Sequence, residues 1–211
     1  MEIKMGGILK STWEMLHDGR FLKKALMIAC PVALQGMLNT IVNMVDTLMI
    51  GGLGSTAIAA VGLANKVFFV FSLLVFGIVS GGGILAAQFW GSGDVKNIRK
   101  VLGLCVMLAM VGAMFFVVPA LTAPRMVMRI FTTSEGSIEL GAKYLRIAAL
   151  SYPFIALTNV YVAMLRATNK VVFPVICSCI AIVVNICLNY VLIFGKFGAP
   201  TMGVAGAACA T

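Results

Sequence analysis

AIAAVGLANKVFFVFSLLVFGIVSGGGILAAQF, residues Ala57–Phe89, contains 33 residues and one charge, Lys66. A helix needs about 20 apolar residues to cross roughly 30 Å of hydrocarbon, so this stretch spans with residues to spare. Similar runs follow outward from it at Ala25–Ile50, Ile98–Ala120, Ile138–Leu165 and Val171–Phe194, and Val204–Thr211 opens a sixth. Several exceed the minimum and must tilt, kink or extend into the headgroups. The whole chain of 211 residues is 61% hydrophobic and 11% charged, with a mean hydropathy of +1.06. Soluble domains carry about 25% charge, and this chain lacks the polar groups to cover a water-facing surface. Disordered, coiled-coil and collagen-like classes need other compositions. The expected fold is an all-α polytopic membrane protein, with a short arm at 1–24 and spans over 25–211.

The formal charge is +9. A nucleic-acid protein gathers such an excess on one solvated stripe, whereas here the basic residues fall mostly between apolar runs. Ten lie in the arm and even-numbered connectors: Lys4, Lys10, Arg20, Lys23, Lys24, Lys96, Arg99, Lys100, Arg166 and Lys170. Five lie around the odd-numbered connectors: Arg125, Arg129, Lys143, Arg146 and Lys196. That bias places the N-terminus in the cytoplasm, and the expected location is the cell (inner) membrane. Ile8, Leu9, Trp13 and Leu16 give the arm an apolar side for the headgroup region. His17, the only histidine, reads as an interface residue. Arg166 and Lys170 read as topology residues, and Lys66 as a snorkelling lysine in preference to a counter-ion.

Gly51, Gly52 and Gly54 leave a very short turn between the first two spans, which predicts antiparallel neighbours. Gly81–Gly83 predict close helix approach or local unwinding. Pro31, Pro119, Pro153 and Pro174 predict bends, either fixed or used in motion. The glycine run lacks the Lys-Ser/Thr ending of a phosphate loop. Cys30, Cys105, Cys177, Cys179, Cys187 and Cys209 form no CxxC pair and read as small buried residues. No cofactor is expected, and a membrane enzyme would want a histidine or carboxylate cluster that the spans do not offer.

Asp46, in NMVDTLMIGG, is the one acidic residue in a span core. Insertion scales put an Asp at a helix centre at roughly 2.5–3.5 kcal/mol, less near the interface. Desolvation opposes ionisation of a carboxyl while a bound cation favours it, a competition that a cation-driven carrier can use. Gln35, Asn39 and Asn43 share its helix, and at ~100° per residue all four fall within about 80° of one another. Ser178, Asn185 and Asn189 make a similar stripe on the fifth span, within about 40°. Two polar stripes predict a shared hydrated pocket. The alternative is interhelical glue, at about 0.6 kcal/mol per contact.

Three blocks carry a family resemblance. PVALQGMLNTIVNMVDTLMIGGLGSTAIAAVGLAN (Pro31–Asn65) resembles the first two helices of the multidrug and toxic compound extrusion (MATE) transporters. AAQFWGSGDVKNIRK (Ala86–Lys100) resembles the connector after the second helix, and NICLNYVLIFGKFGAPTMGVAGAACAT (Asn185–Thr211) the fifth helix, its glycine-rich turn and the start of the sixth. The resemblance implies six-helix lobes around a central cavity, and export of cationic or amphipathic compounds by alternating access in exchange for Na+ or H+. It implies cation coupling at Asp46, Asn185, Asn189 and Thr211, with sodium as the tentative ligated metal, and a cavity lining that includes Gln35, Asn39, Asn43 and Ser178. Asn189 stands where one branch of the family carries a second Asp, which an amide cannot replace as a proton carrier. The expected partners are organic cations, the bilayer and a C-terminal lobe of the same polypeptide, acting as a monomer. The sequence stops within the sixth helix, so this lobe is not expected to transport by itself. A flippase for a lipid-linked intermediate is the nearest alternative and would want a cationic lining. A structural subunit, in which Asp46 is dispensable, is the other.

Overall fold

A computed structural model describes residues 19–52, 54–195 and 202–210 of the chain, apart from the side chains at 20, 21, 24, 25, 28, 46 and 194. Residues 1–18 of the expected N-terminal arm, the Asp46 side chain and Thr211 therefore lie outside the described residues, while 19–24 of that arm open the first helix. Backbone amides in hydrocarbon have no water to bond, so apolar runs of this length close their hydrogen bonds within helices. Among the described residues these are α1 (Gly19–Gly51), α2 (Ser55–Gly91), α3 (Val95–Thr122), α4 (Pro124–Arg129), α5 (Glu135–Ala148), α6 (Tyr152–Ala167), α7 (Val172–Phe194) and α8 (Val204–Ala210). A 3-10 turn, Ala149–Ser151, joins α5 to α6 just before Pro153. No strand occurs among the described residues. Among the described residues, four segments are long and apolar enough to cross a membrane: Ser55–Gly91, Val95–Thr122, Glu135–Ala167 and Val172–Ile193. The expected first span forms the continuous 33-residue α1.

Loop chemistry fixes the helix ends. After α2, the Asp94 N–H reaches the Phe89 carbonyl at 2.9 Å and the Gly93 N–H reaches that of Trp90 at 3.2 Å. This paired closure needs a left-handed residue, and Gly93 supplies it at φ 76°. Asp94 then caps α3, accepting from the Asn97 N–H at 3.0 Å and from Asn97 Nδ2 at 2.6 Å. Replacing Asp94 by Ala is expected to cost about 1 kcal/mol, the usual value of an N-cap. The measurement is the melting midpoint of detergent-purified protein, and Asp94→Asn should recover most of the loss.

Small residues hold the interior together. α2 buries Ala57, Ala60, Ala64, Val67, Phe71 and Val75 at helical spacing, and α3 buries Cys105, Ala109, Ala113 and Val117. These stripes let the two backbones approach, as small residues do between membrane helices. A Cβ at Gly82 would lie 2.2 Å from Cys105 Sγ, so the predicted close approach is realised at the middle glycine of the run. Phe71 stacks on Tyr152 of α6 with centroids 4.7 Å apart. The outward faces stay apolar, with Phe76, Val111, Phe115, Ile180 and Val183 exposed. Five of the six cysteines are also exposed and only Cys105 is buried. The expectation of six buried cysteines is thus corrected: in lipid, a small apolar side chain loses nothing by facing outward.

The antiparallel pairing predicted for the first two helices is corrected in part. α1 meets α2 over a limited contact and packs chiefly on α7, while α2 packs on α3, α5 and α6. The glycine turn joins the two helix ends, but a cavity separates the helices above it.

Candidate functional site

The helices divide into two groups. α2 to α6 form one packed unit; α1, α7 and α8 form another, joined to the first mainly where α8 meets α5. A cavity of about 460 Å³ lies in the seam between them. From one side come Asn43, Thr47 and Ile50 of α1, Asn189 of α7 and Ala207 of α8. From the other come Asn65, Phe68, Phe69 and Ser72 of α2, Tyr144 of α5, Ser151 of the 3-10 turn and Tyr152 of α6. The Tyr144 hydroxyl sits 3.5 Å from Asn65 Oδ1. The wall thus alternates aromatic faces with amides and hydroxyls, and no described lining residue is charged. Such a volume suits a drug-sized molecule, and aromatic faces attract cations.

The two polar stripes do meet. Gln35 Nε2 of α1 donates to Ser178 Oγ of α7. One turn along α1, Asn39 shares a second cavity of about 370 Å³ with Ser178 and Asn185. One turn further, Asn43 and Asn189 face the larger cavity. α1 and α7 therefore run in the same direction, as odd-numbered spans must, and their polar residues pair in order. Asn185 Nδ2 donates to the Ala210 carbonyl of α8 at 2.9 Å, and Asn189 Nδ2 donates to Asn185 Oδ1 at 3.1 Å. Asn189 has no exposed surface. The asparagine pair thus joins α7 to α8 at the cavity edge. By position in α1, Asp46 lies between Asn43 and Thr47, both of which line the larger cavity. Its side chain and Thr211 are outside the described residues. Among those described, no cluster of three or more His, Cys, Asp or Glu could hold a metal ion.

Arg166 corrects the sequence expectation. It does more than mark topology: its Nη2 donates to Gln35 Oε1 at 2.7 Å, and the side chain is half-buried. The last turn of α6 aims it. The Lys170 N–H bonds the Leu165 carbonyl at 2.8 Å and the Asn169 N–H bonds that of Arg166 at 3.1 Å, with Asn169 left-handed at φ 61°. This double closure fixes the helix terminus from which the guanidinium reaches inward. Lys66 is exposed.

The far wall of the larger cavity was missed in the sequence. A signal existed: Asn65 and Ser72 are seven residues apart, so they share one face of α2 with Phe68 and Phe69. Tyr144 and Tyr152 gave none, because buried tyrosines look like ordinary core.

The MatE family model matches residues 31–191. The "Probable multidrug resistance protein NorM" of Thermotoga maritima is 34% identical over 191 residues, covering 90% of this chain and 41% of that protein. The "Probable multidrug resistance protein YoeA" of Bacillus subtilis is 32% identical over 190 residues, covering 86% and 39%. Among solved structures, an outward-facing multidrug resistance MATE family transporter of the MOP superfamily matches with a TM-score of 0.81 at 24% identity. A MOP superfamily transporter from Pyrococcus furiosus, whose reversed pocket polarity suggests a different function, matches at 0.80 and also 24%. Each structural match covers 90% of this chain and 41% of the other, and at that identity it establishes the fold. The chain thus spans about two fifths of the length of these relatives. A polytopic helical chain with four membrane-length segments among its described residues, matched over most of its length by the family model, belongs to the MATE family and corresponds to its N-terminal lobe.

Proposed function

We propose that this lobe belongs to a secondary antiporter that exports cationic or amphipathic compounds in exchange for Na+ or H+. The observation that carries the reading is the 460 Å³ cavity, which lies between two helix groups and has the Asp46-bearing α1 on its wall. Helix groups that can separate along a seam give alternating access, and a carboxyl on that seam gives coupling. Cargo and cation compete for the same lobe, so differential affinity links their opposite flows. Asp46 is the coupling residue, with Asn185, Asn189 and Thr211 beside it as candidate oxygen ligands for sodium. Gln35, Asn39, Asn43 and Ser178 form the polar side of the pathway. No bond is made or broken, so the protein is not an enzyme and needs no cofactor. It works as a monomer in the inner membrane with its N-terminus in the cytoplasm, together with a second lobe.

The flippase reading wants a cationic lining, and no described lining residue of either cavity is cationic. A structural subunit gives no reason for a cavity lined by three helix-borne asparagines. The test is ethidium efflux from proteoliposomes holding the complete transporter, under an imposed sodium gradient and, separately, an imposed pH gradient. Uphill efflux in one of them is expected. No gradient-dependent efflux in either would refute the reading.

A further inference from the structure

Arg166 crosses the seam away from the packed contacts. α1 and α6 do not pack extensively, yet Arg166 Nη2 reaches Gln35 Oε1 at 2.7 Å. Gln35 is 7% exposed, and its amide works in both directions. The oxygen accepts across the seam, and the nitrogen donates to Ser178 within the α1–α7 pair. A buried amide that loses one partner keeps the desolvation cost of that atom, and a cationic donor makes the stronger kind of hydrogen bond. No packed surface has to separate with this link, and the half-exposed guanidinium regains water when it opens, while the buried Gln35 oxygen is left short of a partner.

Resting on the transport reading above, we infer that Arg166 is a positioning residue for the cavity. Through Gln35 it braces α1 against α6 and so sets how closely the two helix groups shut on cargo. The geometry supplies the transmission. Asn43 lies eight residues beyond Gln35, about 12 Å along one rigid helix, and it lines the cavity. Ser178 ties α7 to the same amide, and Asn189, three turns further along α7, lines the cavity too. Moving the brace point moves both polar walls together.

Ethidium transport by the complete transporter in proteoliposomes tests this. Arg166→Ala and Gln35→Ala should each raise the ethidium KM about tenfold, as loss of a charged hydrogen bond predicts, with Vmax changed less than about twofold. Because both act through one bond, the double variant should be no worse than the worse single one. Arg166→Lys should recover most of the loss. Gln35→Glu offers Arg166 a carboxylate and should act oppositely, leaving KM unchanged or lower while Vmax falls about fivefold as opening slows. Wild-type kinetics in Arg166→Ala, or single effects that multiply, would overturn the brace. If the wild type carries no ethidium, the transport reading falls and the brace is judged by hydrogen exchange. Peptides covering 36–43 should then exchange about tenfold faster in Arg166→Ala than in wild type, and equal rates would overturn it.

Discussion

Asp46→Asn is expected to abolish coupled export while leaving the amount of folded protein in the membrane near wild type. Asparagine matches the carboxyl in size and keeps an oxygen acceptor, so packing around α1 should change little. What disappears is the charge. An embedded carboxylate and its cation attract strongly, and removing one charge of a buried pair typically costs about 3 kcal/mol or more. That corresponds to a loss of about a hundredfold in cation affinity, which leaves ethidium efflux without a driving reaction. The measurement is efflux from inside-out vesicles under sodium and pH gradients, with protein amount read by fluorescence-detected gel filtration. Asp46→Glu should retain partial coupling. Full uphill efflux by Asp46→Asn in both gradients would remove the carboxyl from the mechanism and favour the glue reading of the stripe.

The fold was readable because lipid leaves a chain so few choices. Runs of apolar residues had to be helices, and the expected fourth span, Ile138–Leu165, appears as the segment Glu135–Ala167 with its break just ahead of Pro153. The short α4 was not readable: PRMVMR has no periodicity of its own and is helical only as part of the connector between two spans. Stripes were readable too, because polar residues in an apolar helix must face something other than lipid. Gln35, Asn39 and Asn43 therefore pointed to a partner, and Ser178, Asn185 and Asn189 supplied it. Neighbour choice was less readable. A glycine turn fixes where two helices join but not what lies between them, so α1 could leave α2 for α7. Arg166 was hidden by the rule that reads basic residues at span ends as topology marks. A long flexible stem can serve the headgroups or turn inward, and only the position of Gln35 decides which.

Gly206→Ala should destabilise the lobe more than the same change at other buried glycines, because of what stands opposite. A Cβ at Gly206 would lie 2.7 Å from the Leu192 carbonyl oxygen and 2.8 Å from its carbon, which are backbone atoms of α7. That oxygen already accepts the Met202 N–H at 3.0 Å. Leu192 cannot retreat without breaking the bond that leads the chain into α8. At Gly112, by contrast, the nearest atom is the terminal Leu74 Cδ2 at 2.5 Å, and a leucine end can rotate away. Overpacking against a side chain costs about 1–3 kcal/mol, and an immovable backbone puts Gly206→Ala at the upper end, with Gly206→Val beyond it. For a chain of this size about 3 kcal/mol is a fall of roughly 6–12 °C in melting midpoint, with less than half of that expected for Gly112→Ala. The consequence reaches the cavities, because Asn185 bonds Ala210 and Ala207 lines the larger cavity. If α8 is pushed off α7, Asn185 loses its carbonyl partner and the asparagine pair loses its fixed geometry. Gly206→Ala should therefore weaken ethidium binding even where enough folded protein survives to be assayed. A melting midpoint equal to wild type would mean that α8 does not rest on Leu192, and the asparagine pair would then need another support.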